Sequence, residues 1–226
     1  MVSSGENLKK SAAEKALKLV EDGMVLGLGT GSTVKFFLFG LSEMVKEGIR
    51  ITGVPTSVET ANLASKLGIK VDGNFSGQID LDVDGADEVD PSGHLIKGGG
   101  GALLREKIVA HNSRKVCIIV DKSKFKNKIG EFGVPIEVFE FQHANTQKNI
   151  EKLGAKCILR KQGEFRTDNG NLVLDCDFGI IENPEKLEIL IKTIPGVAEV
   201  GIFNGLCHTL LIGTPEGVKR IDIGSA

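Results

Sequence analysis

Residues 80–90 read DLDVDGADEVD, and residues 97–106 read KGGGGALLRE. The first stretch packs six carboxylates into eleven residues, and the second joins one lysine, four glycines and a glutamate. A carboxylate can move protons, while a lysine and bare backbone amides can stabilise an oxyanion. Together they suit proton transfer at a site that stabilises an oxyanion, with Glu106 moving the proton. Lys97 and the amides of Gly98, Gly99 and Gly100 would face the developing charge. By itself, the second stretch also fits a flexible loop followed by a helix with exposed Arg105, Glu106 and Lys107.

The spacing Asp80-x-Asp82-x-Asp84-Gly85 opens like a calcium loop, but the glutamate such a loop needs would fall at Pro91. Ile79, Leu81 and Val83 alternate with the aspartates, which is strand periodicity. That strand would end at the bend Asp84-Gly85-Ala86-Asp87, and open α/β sheets bind ligands beyond the carboxyl ends of their strands. Asp84 and Asp87 are therefore expected to touch a ligand. Asp80 and Asp82 are expected to be structural, and Glu88 and Asp90 to face solvent.

A second glycine-rich segment, LGLGTGSTVKFF, places Gly27, Gly29 and Gly31 between a strand and a helix. Free amides at a helix N-terminus bind anions, and glycine lets a ligand approach the backbone. A dinucleotide fingerprint would need glycine where Ser32 stands, and the next strand ends in VPTS without a ribose-binding acid. The hydroxyls of Thr30, Ser32 and Thr33 suit a single phosphate group, and a side-chain-capped turn is the plainer alternative.

These segments need a scaffold. Apolar spacing predicts a helix over 7–22, a strand in MVLGLG, a helix with the stripe Val34, Phe37, Leu38, Leu41, Val45, and a strand in RITGVP. SVETANLASKLG reads as a helix, IKVD and DLDV as strands, ALLREKIVAHN as a helix and KVCIIVD as a buried strand. This alternation predicts a doubly wound α/β fold, Rossmann-like, with a mostly parallel sheet. From Val134 the order becomes strand, helix, strand, hairpin turn at TDNGN, strand, helix, strand, the ferredoxin-like α+β arrangement. The expected division is an α/β catalytic domain of 1–133 plus 205–226 and an inserted domain of 134–204. The closing LCHTLLIGTPEGVKRI is expected to give one strand and a tail rejoining the first domain.

The formal net charge of −2 over 226 residues offers no basic field for nucleic acid or an anionic membrane surface. No apolar run is long enough to cross a bilayer, and MVSSGENLKK lacks the apolar stretch of a signal peptide, which points to the cytoplasm. Cys117, Cys157, Cys176 and Cys207 form no CxxC pair and are expected to be reduced, buried thiols. The four histidines lack chelating spacing, so no metal site is expected.

Taken in order and spacing, GLGTGSTV, DGADEVD, KGGGGALLREKIV and VDKSK closely resemble the A-type ribose-5-phosphate isomerase family, and the likeness runs to the closing LLIGTPEGV. The resemblance implies a cofactor-free aldose–ketose isomerase of the pentose phosphate pathway, acting through a cis-enediol. It implies Glu106 as the base, with Lys97 stabilising negative charge. Asp84 would assist ring opening and oxygen-to-oxygen proton transfer, and Asp87 would orient its neighbours. Thr30, Gly31, Ser32 and Thr33 match the family's substrate loop. Gly85, Ala86, Gly98, Gly99 and Gly100 match its other substrate-contacting backbone, Lys124 a substrate lysine and Lys9 a phosphate anchor. A homodimer or dimer of dimers is also implied. Related α/β folds carry CoA transferases and sugar-phosphate deaminases, and a non-catalytic sugar-phosphate sensor is the rival of another class. A sensor has no need of Glu106, Lys97 and Asp84 together.

Overall fold

The computed structural model describes residues 4–224. Helices α1 (Ser4–Leu17), α2 (Ser32–Lys46) and α3 (Val58–Lys66) alternate with strands β1 (Val25–Leu28), β2 (Thr52–Pro55) and β3 (Leu81–Asp84). Two short strands follow, β4 (Glu88–Val89) and β5 (Leu95–Ile96), then α4 (Leu103–His111) and β6 (Val116–Asp121). Next come β7 (Val134–Val138), α5 (His143–Glu151), β8 (Lys156–Leu159), β9 (Leu172–Asp177), α6 (Pro184–Lys192) and β10 (Val197–Val200). The chain closes with β11 (Ile202–Phe203), β12 (Thr209–Thr214) and β13 (Gly217–Asp222).

These elements form two compact units. The first takes in the chain up to Gly85, Arg105–Phe125 and the chain from Leu206. Its sheet has the order β13-β12-β6-β3-β1-β2, parallel throughout except for β13. Strand alternation explains why it carries helices on both faces. Leu26, Leu28, Val83, Cys117 and Ile119 point to one side and bury Ala12, Ala13 and Ala16 of α1 with Val34, Phe37, Leu38 and Leu41 of α2. The residues between them, Gly27 and Asp82, face the other side, where Val109 of α4 packs. The end of the chain is a hairpin rather than a strand and a tail, since Thr209–Thr214 pairs antiparallel with Gly217–Asp222. IKVD contributes only a single bridge, Gly53 to Val71, because the chain turns away at Gly73.

The second unit comprises Ala86–Leu104 and Lys126–Gly205. Its four-stranded antiparallel sheet, β10-β7-β9-β8, has the ferredoxin-like order. Ile136, Val138, Ile150, Leu172, Leu174 and Ile191 centre its core. Besides the expected 134–204 segment it takes in 86–104 and 126–133, because β4 and β5 pair in a small sheet with β11. Strands of two residues leave no periodicity to read. Cys157 and Cys176, expected as free thiols, lie opposite each other on β8 and β9 with Cα atoms 4.0 Å apart and form a disulfide. The hairpin register brings them together, and their separation of 19 residues gives no hint of it. Cys117 and Cys207 are free and buried. Burial pushes both thiols up, Cys207 to about 12.

Candidate active site

β1 and β3 run side by side, with Gly27 opposite Asp82. A Cβ on Gly27 would stand 2.5 Å from Asp82 Oδ1, and one on Gly29 would stand 2.0 Å from Asp84 Oδ1 and 2.6 Å from its Cα. Two of the three glycines in LGLGTG are therefore required by the aspartates of the neighbouring strand, not by a ligand. Gly31 differs. It has open space around its Cα, a φ of 132° that disfavours other residues, and the N-cap position of α2. No side chain caps α2, which removes the capped-turn alternative and leaves its first amides suited to an anion. Gly31 and Ser32 are exposed while Thr33 is buried, and Lys9 Nζ donates to Ser32 Oγ at 3.0 Å.

Asp84 ends β3 with 1% exposure. Its Oδ1 accepts the amides of Thr30 (3.1 Å) and Gly85 (2.7 Å), which fixes the carboxyl orientation. The Thr30 hydroxyl sits in a cluster the sequence reading passed over, 2.8 Å from both Thr56 Oγ1 and Ser57 Oγ and 3.2 Å from Thr60 Oγ1. Thr56 donates to Leu28 O and Thr60 to Gly29 O, so the hydroxyls after β2 pin the backbone leading into Thr30. The readable signal is TSVET, hydroxyls at the strand end and one helical turn later.

Glu106 lies in the first turn of α4 and is 4% exposed, which excludes the reading of a solvated helix face. It precedes Val109 by three residues and so shares the helix face that packs on Gly27. The end of α4 lies beside Ile79, ahead of β3, where Ile79 N–H donates to Asn112 O (3.2 Å) and Arg114 N–H to Ile79 O (2.8 Å). The helix thus runs against the strand direction. Three residues back from Val109, about 4.5 Å along the axis, Glu106 lies toward the carboxyl end of β3. Lys124, half-buried, closes a short 3-10 turn beyond the carboxyl end of β6, capped by Asp121 Oδ1 on Ser123 N.

The second unit carries Ala86, Asp87 and the lysine–glycine loop. Asp87 N–H donates to Ile96 O (2.8 Å), and Asp87 Oδ2 accepts Gly99 N–H (2.7 Å). Lys97 is 3% exposed, with its ammonium 5.6 Å from the centre of the Phe203 ring. Gly98 (φ 102°) and Gly101 (φ 82°) make the turn, closed by Gly101 N–H to Gly98 O at 2.9 Å. A feature with no trace in the motif is Arg160, whose Nη1 donates to the carbonyls of Gly98 (3.0 Å) and Gly99 (3.2 Å).

The two outer acids of DLDVDGADEVD do not face solvent as expected. Glu88 is 2% exposed and accepts Gly130 N–H (2.6 Å) and Phe132 N–H (2.9 Å) through its two oxygens. Asp90 is buried too, accepting Ser92 and His94 amides and pairing with His94 Nδ1 at 2.7 Å. Both carboxylates satisfy backbone N–H donors, which makes them structural. Among the described residues, no group of histidine, cysteine and acidic side chains is arranged to hold a metal ion, and no helix is long and apolar enough to cross a membrane.

The model of the family described as ribose 5-phosphate isomerase A (phosphoriboisomerase A) matches residues 52–217. The chain belongs to that family. A relative from Picrophilus torridus named ribose-5-phosphate isomerase A is 50% identical over 218 residues, covering 96% of this chain and 99% of its own length. The structure of ribose 5-phosphate isomerase A from Methanocaldococcus jannaschii superposes with a TM-score of 0.91 at 39% identity, covering 96% of this chain and 99% of that one. A D-ribose-5-phosphate isomerase solved in complex with phospho-erythronic acid superposes with a TM-score of 0.93 at 41% identity, covering 97% and 100%. The doubly wound sheet and the inserted antiparallel domain are thus shared with solved members of the family.

Proposed function

We propose that this chain interconverts D-ribose 5-phosphate and D-ribulose 5-phosphate, the activity named for its family. The open-chain aldose loses its C2 proton to Glu106, leaving an enediolate with negative charge on O1. Lys97 and the amides of Gly98–Gly100 stabilise that charge. Asp84 assists ring opening and carries a proton from O2 to O1, while Asp87 orients the groups around it. Glu106 then returns its proton to C1, giving the ketose with no net gain or loss of atoms or electrons. Thr30, Gly31, Ser32 and Thr33 hold the substrate with Gly85, Ala86 and Lys124, and Lys9 joins the α2 amides in anchoring the phosphate. Phosphate binding far from C1 and C2 supplies energy that orients the reacting carbons.

The observation that supports this most directly is Glu106, buried on the face of α4 that packs on the sheet, toward the strand end where Thr30 and Gly85 hold the Asp84 carboxyl. The test is Glu106→Gln, which should lower kcat at least about a hundredfold while leaving affinity for an inert sugar-phosphate analogue near normal. Near-normal turnover would remove Glu106 as the base. Turnover should also persist after exhaustive chelation. The working form is proposed to be a cytoplasmic homodimer or homotetramer, which light scattering of the purified chain would check.

A further inference from the structure

Arg160 is far from the lysine–glycine loop in sequence, yet every arm of its guanidinium is engaged around it. Nε and Nη2 hold the Asp175 carboxylate, Nη1 holds the Gly98 and Gly99 carbonyls, and the plane lies 5.4 Å from the Phe165 ring centre. The same ring stands where a Cβ on Gly101 would be, 2.3 Å away. The Arg160 side chain is only 12% exposed. Immediately after it, Lys161 (φ 46°) and Gln162 (φ 55°) adopt the left-handed conformation without being glycine. Such backbone is costly and persists where surrounding contacts enforce it.

No peptide bond among the described residues is cis, so each carbonyl of the loop points opposite to the N–H of the next residue. With the Gly98 carbonyl on Arg160, Gly99 N–H points away and meets Asp87 Oδ2. With the Gly99 carbonyl also on Arg160, Gly100 N–H is turned away from the guanidinium. We propose that Arg160, clamped by Asp175, is a positioning residue that fixes the peptide planes of the glycine loop so that the Gly100 amide meets the negative charge formed in the reaction. This deepens the isomerase reading and rests on it. Lysine cannot replace the fork, because it lacks the planar, multiple donors that hold a carboxylate and two carbonyls at once.

The experiment compares wild type, R160A, R160K and D175N by isomerase kinetics, by binding of inorganic phosphate, and by amide hydrogen exchange over residues 97–101. R160A is expected to lose about a hundredfold in kcat, as a misplaced stabilising group does, with affinity for inorganic phosphate changed less than about threefold. R160K and D175N should each lose about tenfold, and exchange in the loop should rise in all three variants. If R160A fails to fold, the R160K and D175N comparisons decide the matter. Overturning results are a kcat within twofold of wild type, or kcat unchanged with only melting temperature lowered. A wild type that does not isomerise ribose 5-phosphate, with loop exchange still raised in R160A, would sink the isomerase reading and leave the brace standing.

Discussion

The two glycine-rich segments, 27–33 and 97–101, look alike in sequence and are built on different principles. In the first, strand pairing does the work. Gly27 and Gly29 are small because Asp82 and Asp84 occupy the space a side chain would need, and Gly31 alone is required by its backbone conformation. In the second, no strand partner sets the loop. Gly98 and Gly101 make a turn with positive φ, Gly99 leaves room for the Asp87 carboxylate, and Arg160 holds the carbonyls from a point 61 residues further on. The first is positioned by a continuous sheet, the second by individual side chains. Glycine content alone does not say which.

The largest expected effect is at the sheet-built segment. Gly29→Ala drives a methyl group into the Asp84 backbone, where nothing flexible can yield, so stability should fall by about 3 kcal/mol with near-complete loss of turnover. Chemical denaturation and kinetics on the soluble fraction would check this, and a stability within about 1 kcal/mol of wild type would show that the neighbouring strand does not require glycine at position 29. Gly101→Ala meets a side chain instead, the Phe165 ring, at a left-handed position, and should cost about 2 kcal/mol. Replacing the same ring in the double variant Gly101→Ala, Phe165→Leu should recover part of that loss.

Thr30→Val removes the hydroxyl shared by Thr56, Ser57 and Thr60 while keeping the shape, and should cost about 1 kcal/mol, with a larger effect on KM than on the fold. The smallest effect lies outside both segments. The Arg50 guanidinium and backbone amide hold the Asp22 carboxyl at about 2, below its ordinary 3.8. A lowered folded-state value stabilises the protein above pH 3.8, and the contribution is lost as pH falls through about 2. Asp22→Asn should therefore lower stability above pH 3.8 and converge on wild type as pH falls through about 2, and the pair is exposed enough that the change will be slight.

Much of this was legible in the residues. Alternation of Leu81 and Val83 with Asp82 and Asp84 read directly as a strand, and Gly85 marked its end, so the bend that carries Asp84 needed no coordinates. The ferredoxin-like order was equally plain because its four strands and two helices are long enough to show their periods. The misreadings have one cause in common. Glu88 and Asp90 resemble surface charges until the amides of Gly130, Phe132, Ser92 and His94 are folded onto them. Cys157 and Cys176 resemble independent buried thiols until a hairpin register sets them face to face.

The sequence by itself determined the order of the longer elements, the strand end at Asp84, the helix that begins near Glu106 and the family. Those depend on local conformational preference and short-range periodicity, which each segment carries on its own. Only the tertiary structure decided which glycines exist for a neighbour and which for a turn, that Glu106 is buried on the face directed at the sheet, and that Arg160 braces the loop. Each of these depends on what lies across a few ångströms of space, and a partner tens of residues away leaves no period in the chain.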